Sequence, residues 1–296
     1  MKSSRNLFPT YIAAIIAVFL WGFSFIWTNI LIKENIPIYT FIFIRLSIAG
    51  LLLLLTAKIT KKLQKIDPAD FKWFFAMAFA EPFIYFIGES FGMKATGSPT
   101  ISAIIIATIP IFCLIYERFI SNIHISPLAI FGIIITIPGI IMAASESGAS
   151  NSIEHLYGIA LLFLAVFGAV GFAITTKKLT EKYNNFTIAT YQFLIGSILF
   201  LPLFIMYGTS GINSSFFTLK VIGPILTLSI LCSCLCFVLW IGVIKNLGIT
   251  RANTLSALIP AVSAIGAAYL GEESLSTIKW IGIGITIIGV ILAQKK

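Results

Sequence analysis

Apolar runs of about 20 residues alternate along the chain with short polar stretches, and this pattern predicts helices that cross a bilayer. Ten such segments follow from it: 10–32, 37–57, 71–92, 99–119, 126–144, 157–178, 187–207, 220–244, 251–270 and 277–294. The first follows Lys2 and Arg5, as a signal peptide would. Its apolar run is longer than a signal core, however, and no small-residue cleavage site follows, so it is read as a retained helix. The expected fold class is therefore an all-α membrane protein with ten transmembrane helices.

Composition agrees. The 296 residues are 58% hydrophobic and 10% charged, with mean hydropathy +1.02, whereas soluble domains run about 45–50% apolar and about 25% charged. A net charge of +9 would point to nucleic acid in a soluble chain; here it reports loop charge, so the expected surroundings are a lipid bilayer and no nucleic acid. With the N-terminus inside, 15 Lys and Arg fall on the inner side and 4 on the outer side, and Arg45 within a span completes the 20. A shift of one helix would destroy that asymmetry. The topology it favours has both termini cytoplasmic, in a multi-pass protein of the plasma or inner membrane.

The second half of the chain repeats the first. An offset of 150 residues aligns Gly92–Ala144 with Gly242–Gln294 without a gap, at about 15 identities over 53 positions. Matched pairs include Gly92/Gly242, Thr100/Thr250, Pro110/Pro260 and Ser126/Ser276. Chance alignment of apolar sequence accounts for isoleucine matches but poorly for coincident Gly and Pro. Gly132, Thr136, Gly139 and Ala143 match Gly282, Thr286, Gly289 and Ala293 at i, i+4, i+7, i+11, a helical stripe of small residues that admits another backbone. The two stripes have three possible partners: each other, a neighbour in their own half, or a second copy in a homodimer. A repeat of five helices has odd parity, so the second copy enters the membrane in the opposite sense. The expected organisation is a first repeat at 1–144, an outer linker at 145–156 and a second, inverted repeat at 157–296. Inverted repeats are an architecture of alternating-access carriers, with the substrate site near the midplane between the halves.

Two five-helix halves, Trp21-Gly22, Arg45, Pro110 and Pro260, and Gly271-Glu272 after the ninth span together resemble the EamA-like branch of the drug/metabolite transporter superfamily. The resemblance covers essentially the whole chain. It implies a ten-helix carrier of small metabolites, often amino acids or related compounds, and often an exporter. Ser121-Asn122 stands where the first half would carry a Gly-Glu pair, which weakens any role for Glu272 beyond that of a polar helix-end residue.

Ionisable groups at membrane depth are costly, roughly 2.5–3.5 kcal/mol on insertion scales, and so mark candidate sites. Arg45, Glu81 and Glu89 are such groups, and Arg45 can reach either carboxylate if the second and third spans pack together. Glu81, Tyr85 and Glu89 fall at i, i+4, i+8 on one face, with Gly88 and Gly92 beside it. A carboxylate there serves either to bind a cationic group or take up a proton, or to form a structural pair with Arg45. Glu81 precedes Pro82, whose ring removes a helical hydrogen bond and opens the third span at mid-depth. Positions 231 and 239, equivalent to the two glutamates, are leucine, so the charge belongs to the first repeat alone.

The other cavity candidates are Trp21, Ser24 and Thr28 in the first span, Tyr191 and Gln192 in the seventh, Trp240 in the eighth, and Asn253 and Ser256 in the ninth. Their polar groups either join helices or line a cavity, and the aromatic ones suit a substrate with an apolar portion and a charged end. Pro110 and Pro260 each free a backbone carbonyl, which is tolerated only against protein or water and so turns both towards the bundle interior. The Cys232-x-Cys234-x-Cys236 run resembles a metal motif, but helix neighbours two apart point about 200° apart and cannot share an ion. No metal and no cofactor is expected.

The function these features predict is secondary transport of a small organic metabolite, coupled to protons through Glu81 or Glu89. A passive channel also needs a polar interior, but inverted repeats and Pro-broken helices favour a carrier. An intramembrane enzyme would need a nucleophile with its base at depth, yet His124 and His155 fall in predicted loops and no Gly-rich phosphate loop is present.

Overall fold

The computed structural model describes residues 7–121, 126–145, 153–212 and 214–293. Among these described residues ten helices run back and forth: α1 (Phe8–Lys33), α2 (Ile38–Ile59), α3 (Pro68–Thr96), α4 (Pro99–Ile120), α5 (Pro127–Ser145), α6 (Ile153–Leu179), α7 (Asn185–Tyr207), α8 (Leu219–Leu247), α9 (Ile249–Tyr269) and α10 (Thr277–Ala293). Eight are long and apolar enough to cross a membrane, and α5 and α10 are shorter apolar helices. Large apolar side chains such as Ile15, Phe19, Leu55, Ile137 and Ile198 stand exposed around the bundle, as lipid-facing residues do.

The helices start and stop where local chemistry says they should. Pro99 and Pro127 open α4 and α5, where a missing N–H is harmless, and Asn184 caps α7 through the Thr187 amide. Positive φ at Gly97 lets α3 end before the turn into α4. Several helices run beyond the expected spans: α3 starts at Pro68, and α6 starts at Ile153, where Glu154 in the first turn suits the positive helix end. His155 is consequently a buried residue of α6 and not a loop residue as predicted. His124 and Asn122 lie outside the described residues.

The repeat is visible in the packing. Ser47 and Ser197, 150 positions apart, share a hydrogen bond of 2.7 Å where α2 meets α7. The small-residue stripes of α5 and α10 face each other: a Cβ on Gly139 would lie 2.8 Å from the Thr286 amide nitrogen and 3.0 Å from the Gly282 carbonyl, and one on Gly289 would lie 2.8 Å from the Gly132 carbonyl. Of the three partners open to those stripes, the structure selects the equivalent helix of the same chain. In matching fashion α6 packs along α3 and α4, while α1 packs along α8 and α9. Gly88 and Gly92, beside the face that carries the two glutamates, admit α6; a Cβ on Gly88 would lie 2.8 Å from the Ala165 amide nitrogen.

Four helices are interrupted, in symmetric pairs. α4 breaks at Ala107–Thr108 and α9 at Ala257–Leu258, just before Pro110 and Pro260, and both prolines are buried. α3 and α8 each widen into a π turn, at Phe79–Ile84 and Leu228–Leu235.

Polar contacts gather at the two ends of the bundle. At one, Lys33 Nζ pairs with Glu272 at 2.7 Å, and Glu273 accepts from Ser98 Oγ at 2.7 Å and pairs with Lys279 at 2.9 Å. Glu272 is thus more than a helix-end residue, since it ties the α9–α10 turn to α1. At the opposite, Lys-rich end, Asp70 joins Lys182 and the Tyr183 hydroxyl, each at 2.9 Å, and its hydrogen bond holds the Lys182 ammonium above the ordinary lysine range. Thr250 Oγ1 there donates to the Glu117 carboxylate.

Candidate functional site

One cavity lies between the repeats, walled by α1, α2, α3, α4, α6, α8 and α9. Two repeat-related pairs, Ile106/Ser256 and Ile109/Ile259, stand on its opposite sides. Of the twelve cavity candidates, the structure brings nine together here: Trp21, Ser24, Arg45, Glu81, Tyr85, Glu89, Trp240, Asn253 and Ser256. Thr28, Tyr191 and Gln192 are placed elsewhere. Thr28 is buried beyond the cavity and Tyr191 packs on the Phe74 ring. Gln192 stands behind Glu81, where its Nε2 donates to the Glu81 carbonyl at 3.0 Å.

The charged groups owe their positions to the helix irregularities. Pro82 cannot continue the α-helical ladder, and Glu81 adopts extended angles, φ −145° and ψ 116°, inside the π turn. Arg45 does not pair with either carboxylate within 4 Å, which corrects the structural-pair reading of these residues. Its Nε donates to Ser233 Oγ at 2.8 Å, and its guanidinium lies over the Phe86 ring at 4.2 Å. α2 faces the π turn of α8 closely enough to supply that partner first.

This leaves hydrogen-bonding capacity turned towards the cavity. Neither terminal nitrogen of Arg45 has a protein partner among the described residues. The Glu81 carboxylate has none either, though Glu81 is 7% exposed. Glu89 accepts one long hydrogen bond, from the Tyr85 hydroxyl at 3.3 Å. A buried polar group with no protein partner is costly unless solvent or a ligand satisfies it, and these groups border the cavity.

Aromatic rings complete the walls. Trp21 meets Trp240 edge to face at 5.0 Å and Phe237 at 5.4 Å, and Phe25, Phe86 and Phe172 join them. Ser24 and Ser256 donate to carbonyls of their own helices, Trp21 and Asn253 respectively, which leaves their oxygens as acceptors. The cysteines of α8 pack on α1 and α2, Cys232 Sγ at 3.5 Å from the Leu20 carbonyl and Cys234 Sγ at 3.5 Å from that of Ala49.

The free volume is about 60 Å³, room for roughly four waters at about 15 Å³ each. The residues absent from the sequence expectation are apolar: Phe25, Phe86, Ile106, Ile109, Ala169, Phe172, Ala173, Phe237 and Ile259. Nothing in an all-apolar stretch of α6 distinguishes Ala169, Phe172 and Ala173 from lipid-facing residues. Their small–large–small spacing at i, i+3, i+4 was the one available signal.

The sequence profile of the EamA-like transporter family matches residues 8–145 and 156–294, one match on each side of this cavity. The chain belongs to the EamA-like transporter family. Among its relatives is an uncharacterized transporter of Archaeoglobus fulgidus, 25% identical over 97% of this chain and 98% of that protein. The uncharacterized inner membrane transporter YedA of Escherichia coli K12 is 25% identical over 65% of this chain and 60% of its own length. A solved crystal structure superposes with a TM-score of 0.67 at 14% identity, covering 96% of each chain, which shows a shared fold. The chain is accordingly a multi-pass membrane transporter, and the cavity between its EamA halves is its candidate site.

Proposed function

We propose that this EamA-family transporter is a secondary carrier of an amino-acid-like zwitterion with an apolar or aromatic side chain. The observation behind this reading is the grouping, in one cavity, of a guanidinium with two unpartnered nitrogens, two carboxylates and an indole pair. A substrate carboxylate would bridge the Arg45 nitrogens, since guanidinium and carboxylate match in bidentate geometry. Its ammonium would meet Glu81 or Glu89, and its side chain would lie on Trp21 and Trp240. One zwitterion neutralises Arg45 and one carboxylate. The second carboxylate is the proton site, which couples substrate movement to a proton moving the other way.

The charge asymmetry of the loops supports an N-terminus in the cytoplasm, and the inner-membrane designation of the YedA relative fits a cytoplasmic-membrane location. In that orientation the ion-paired Glu272 end is extracellular, and Trp240, Asn253 and Phe172 lie towards the cytoplasmic end of their helices. Arg45, Glu89 and Ile106 lie towards the extracellular ends of their helices, so the cavity reaches both ways from mid-depth, and an outward direction is supported by the family resemblance alone. Alternating access then loosens one of the two repeat-related packings, α1 against α8 and α9 or α6 against α3 and α4, while the other holds.

The test is a thermal-stability screen of the detergent-solubilised protein against amino acids and their decarboxylated amines. A ligand bound at about 100 Kd adds about 2.7 kcal/mol to apparent stability. Stabilisation by an apolar or aromatic amino acid is expected. Stabilisation by no zwitterion would remove the proposal, and flux that stays linear with concentration would replace a carrier with a channel.

A further inference from the structure

We infer that Gln192 is the positioning residue of the Glu81 turn, reaching from the second repeat to hold the Glu81 carboxylate at the cavity of the first. Four observations meet at this point. In a regular helix the Tyr85 N–H would bond the Glu81 carbonyl; in the π turn it bonds Ala80 and Pro82 instead. Gln192 Nε2, from α7, donates to that Glu81 carbonyl at 3.0 Å. Gly196, one helical turn further along α7, accommodates the Pro82 ring, whose Cδ lies 3.1 Å from the place a Cβ would occupy. One face of α7 is therefore shaped to the Glu81–Pro82 turn.

The fourth observation is that Gln192 is completely buried and its Oε1 has no hydrogen-bond partner. An unsatisfied buried acceptor opposes folding. A leucine or methionine of similar size would remove that orphan acceptor and leave the Glu81 carbonyl without its donor, two costs of the same kind that offset each other, so the amide is explained by where its N–H is aimed.

The other half of the molecule carries the same device. In the π turn of α8 the Cys236 N–H bonds Leu231 and Ser233 and passes over Cys232, and Trp21 Nε1 from α1 donates to the Cys232 carbonyl at 3.1 Å. Each opened turn is thus held by a side-chain N–H from the opposite repeat. The two clamps differ in consequence, because only the first presents a carboxylate. When the repeats move against each other, the Gln192 bond carries the movement to the Glu81 backbone itself, beside the packing of α6 on the same turn. The charged and titratable groups around that carboxylate are Arg45 from α2 and Tyr85 and Glu89 from α3 itself.

The inference rests on Glu81 being the working carboxylate, but its test needs no substrate. Purified, reconstituted protein is treated with dicyclohexylcarbodiimide, which modifies carboxyl groups in apolar surroundings, and modification at Glu81 and Glu89 is read by peptide mass spectrometry. In Gln192→Leu and Gln192→Met the ratio of Glu81 to Glu89 modification is expected to fall at least fivefold, with thermal unfolding little changed. A purely structural Gln192 would move the unfolding temperature and leave the ratio alone. An unchanged ratio in either folded variant overturns the inference, and unfolding of both overturns it too, because the amide would then be required for the fold. Loss of the ratio without any zwitterion transport would keep the positioning role and reject the carrier reading of the site.

Discussion

Arg45 offers the sharpest test of how the site divides its work. Its Nε and one face are already engaged, by Ser233 at 2.8 Å and Phe86 at 4.2 Å, so only its terminal nitrogens are left to a ligand. Replacing it with glutamine removes a charge-assisted hydrogen bond to the substrate carboxylate, worth about 1.5–3 kcal/mol. At about 1.4 kcal/mol per decade, affinity for an amino acid should fall about tenfold to 150-fold. The same change also loses the Ser233 and Phe86 contacts, which would disturb every ligand alike. The decarboxylated amine of the same side chain separates the two effects: lacking the carboxylate, it should lose only the part shared by every ligand, and so much less affinity than the amino acid. Calorimetric titration of both ligands against both proteins gives the comparison. Equal losses for amino acid and amine would show that Arg45 supports the site without touching substrate, and the reasoning would fail.

Two further predictions concern the scaffold. Gly139→Leu forces a side chain into the α5–α10 seam, where even a Cβ would lie 2.8 Å from the Thr286 amide nitrogen, and should destabilise by at least the roughly 1–3 kcal/mol typical of overpacking. Denaturant titration in detergent measures it, and an unchanged midpoint would contradict the seam. Glu273→Gln leaves Lys279, whose side chain is 8% exposed, without its counter-charge. Breaking a buried pair in this way costs about 3–5 kcal/mol, visible as a large drop in unfolding temperature that Lys279→Met in the same chain should partly restore.

The sequence carried the fold because the features that define it are coarse. Twenty-residue apolar periods, a 150-residue offset marked by Gly and Pro, and one-sided lysine are properties of whole segments, and each survives uncertainty about any single contact. Glu81, Glu89 and Arg45 were equally visible, since charge at membrane depth has few explanations. What pattern could not supply was direction. Gly88 and Gly92 share a helix with the glutamates, yet they face α6. Gln192 stood among the cavity candidates, yet it turns to a backbone carbonyl that becomes available only once α3 widens into a π turn. Arg45 passed over both carboxylates because the π turn of α8 brings Ser233 within reach first. These outcomes depend on where helices break, and a proline predicts the break without predicting which side chain from the other repeat will meet it.

Flux across proteoliposomes tests the central claim most directly. The protein is reconstituted with an apolar or aromatic amino acid that stabilises it, a pH gradient is imposed, and uptake is followed over a range of substrate concentrations for the unaltered chain, Glu81→Gln and Glu89→Gln. The account predicts saturable flux that follows the pH gradient and is abolished or uncoupled from it in at least one of the two variants. Undiminished pH-driven flux in both, or flux that never saturates, would contradict it.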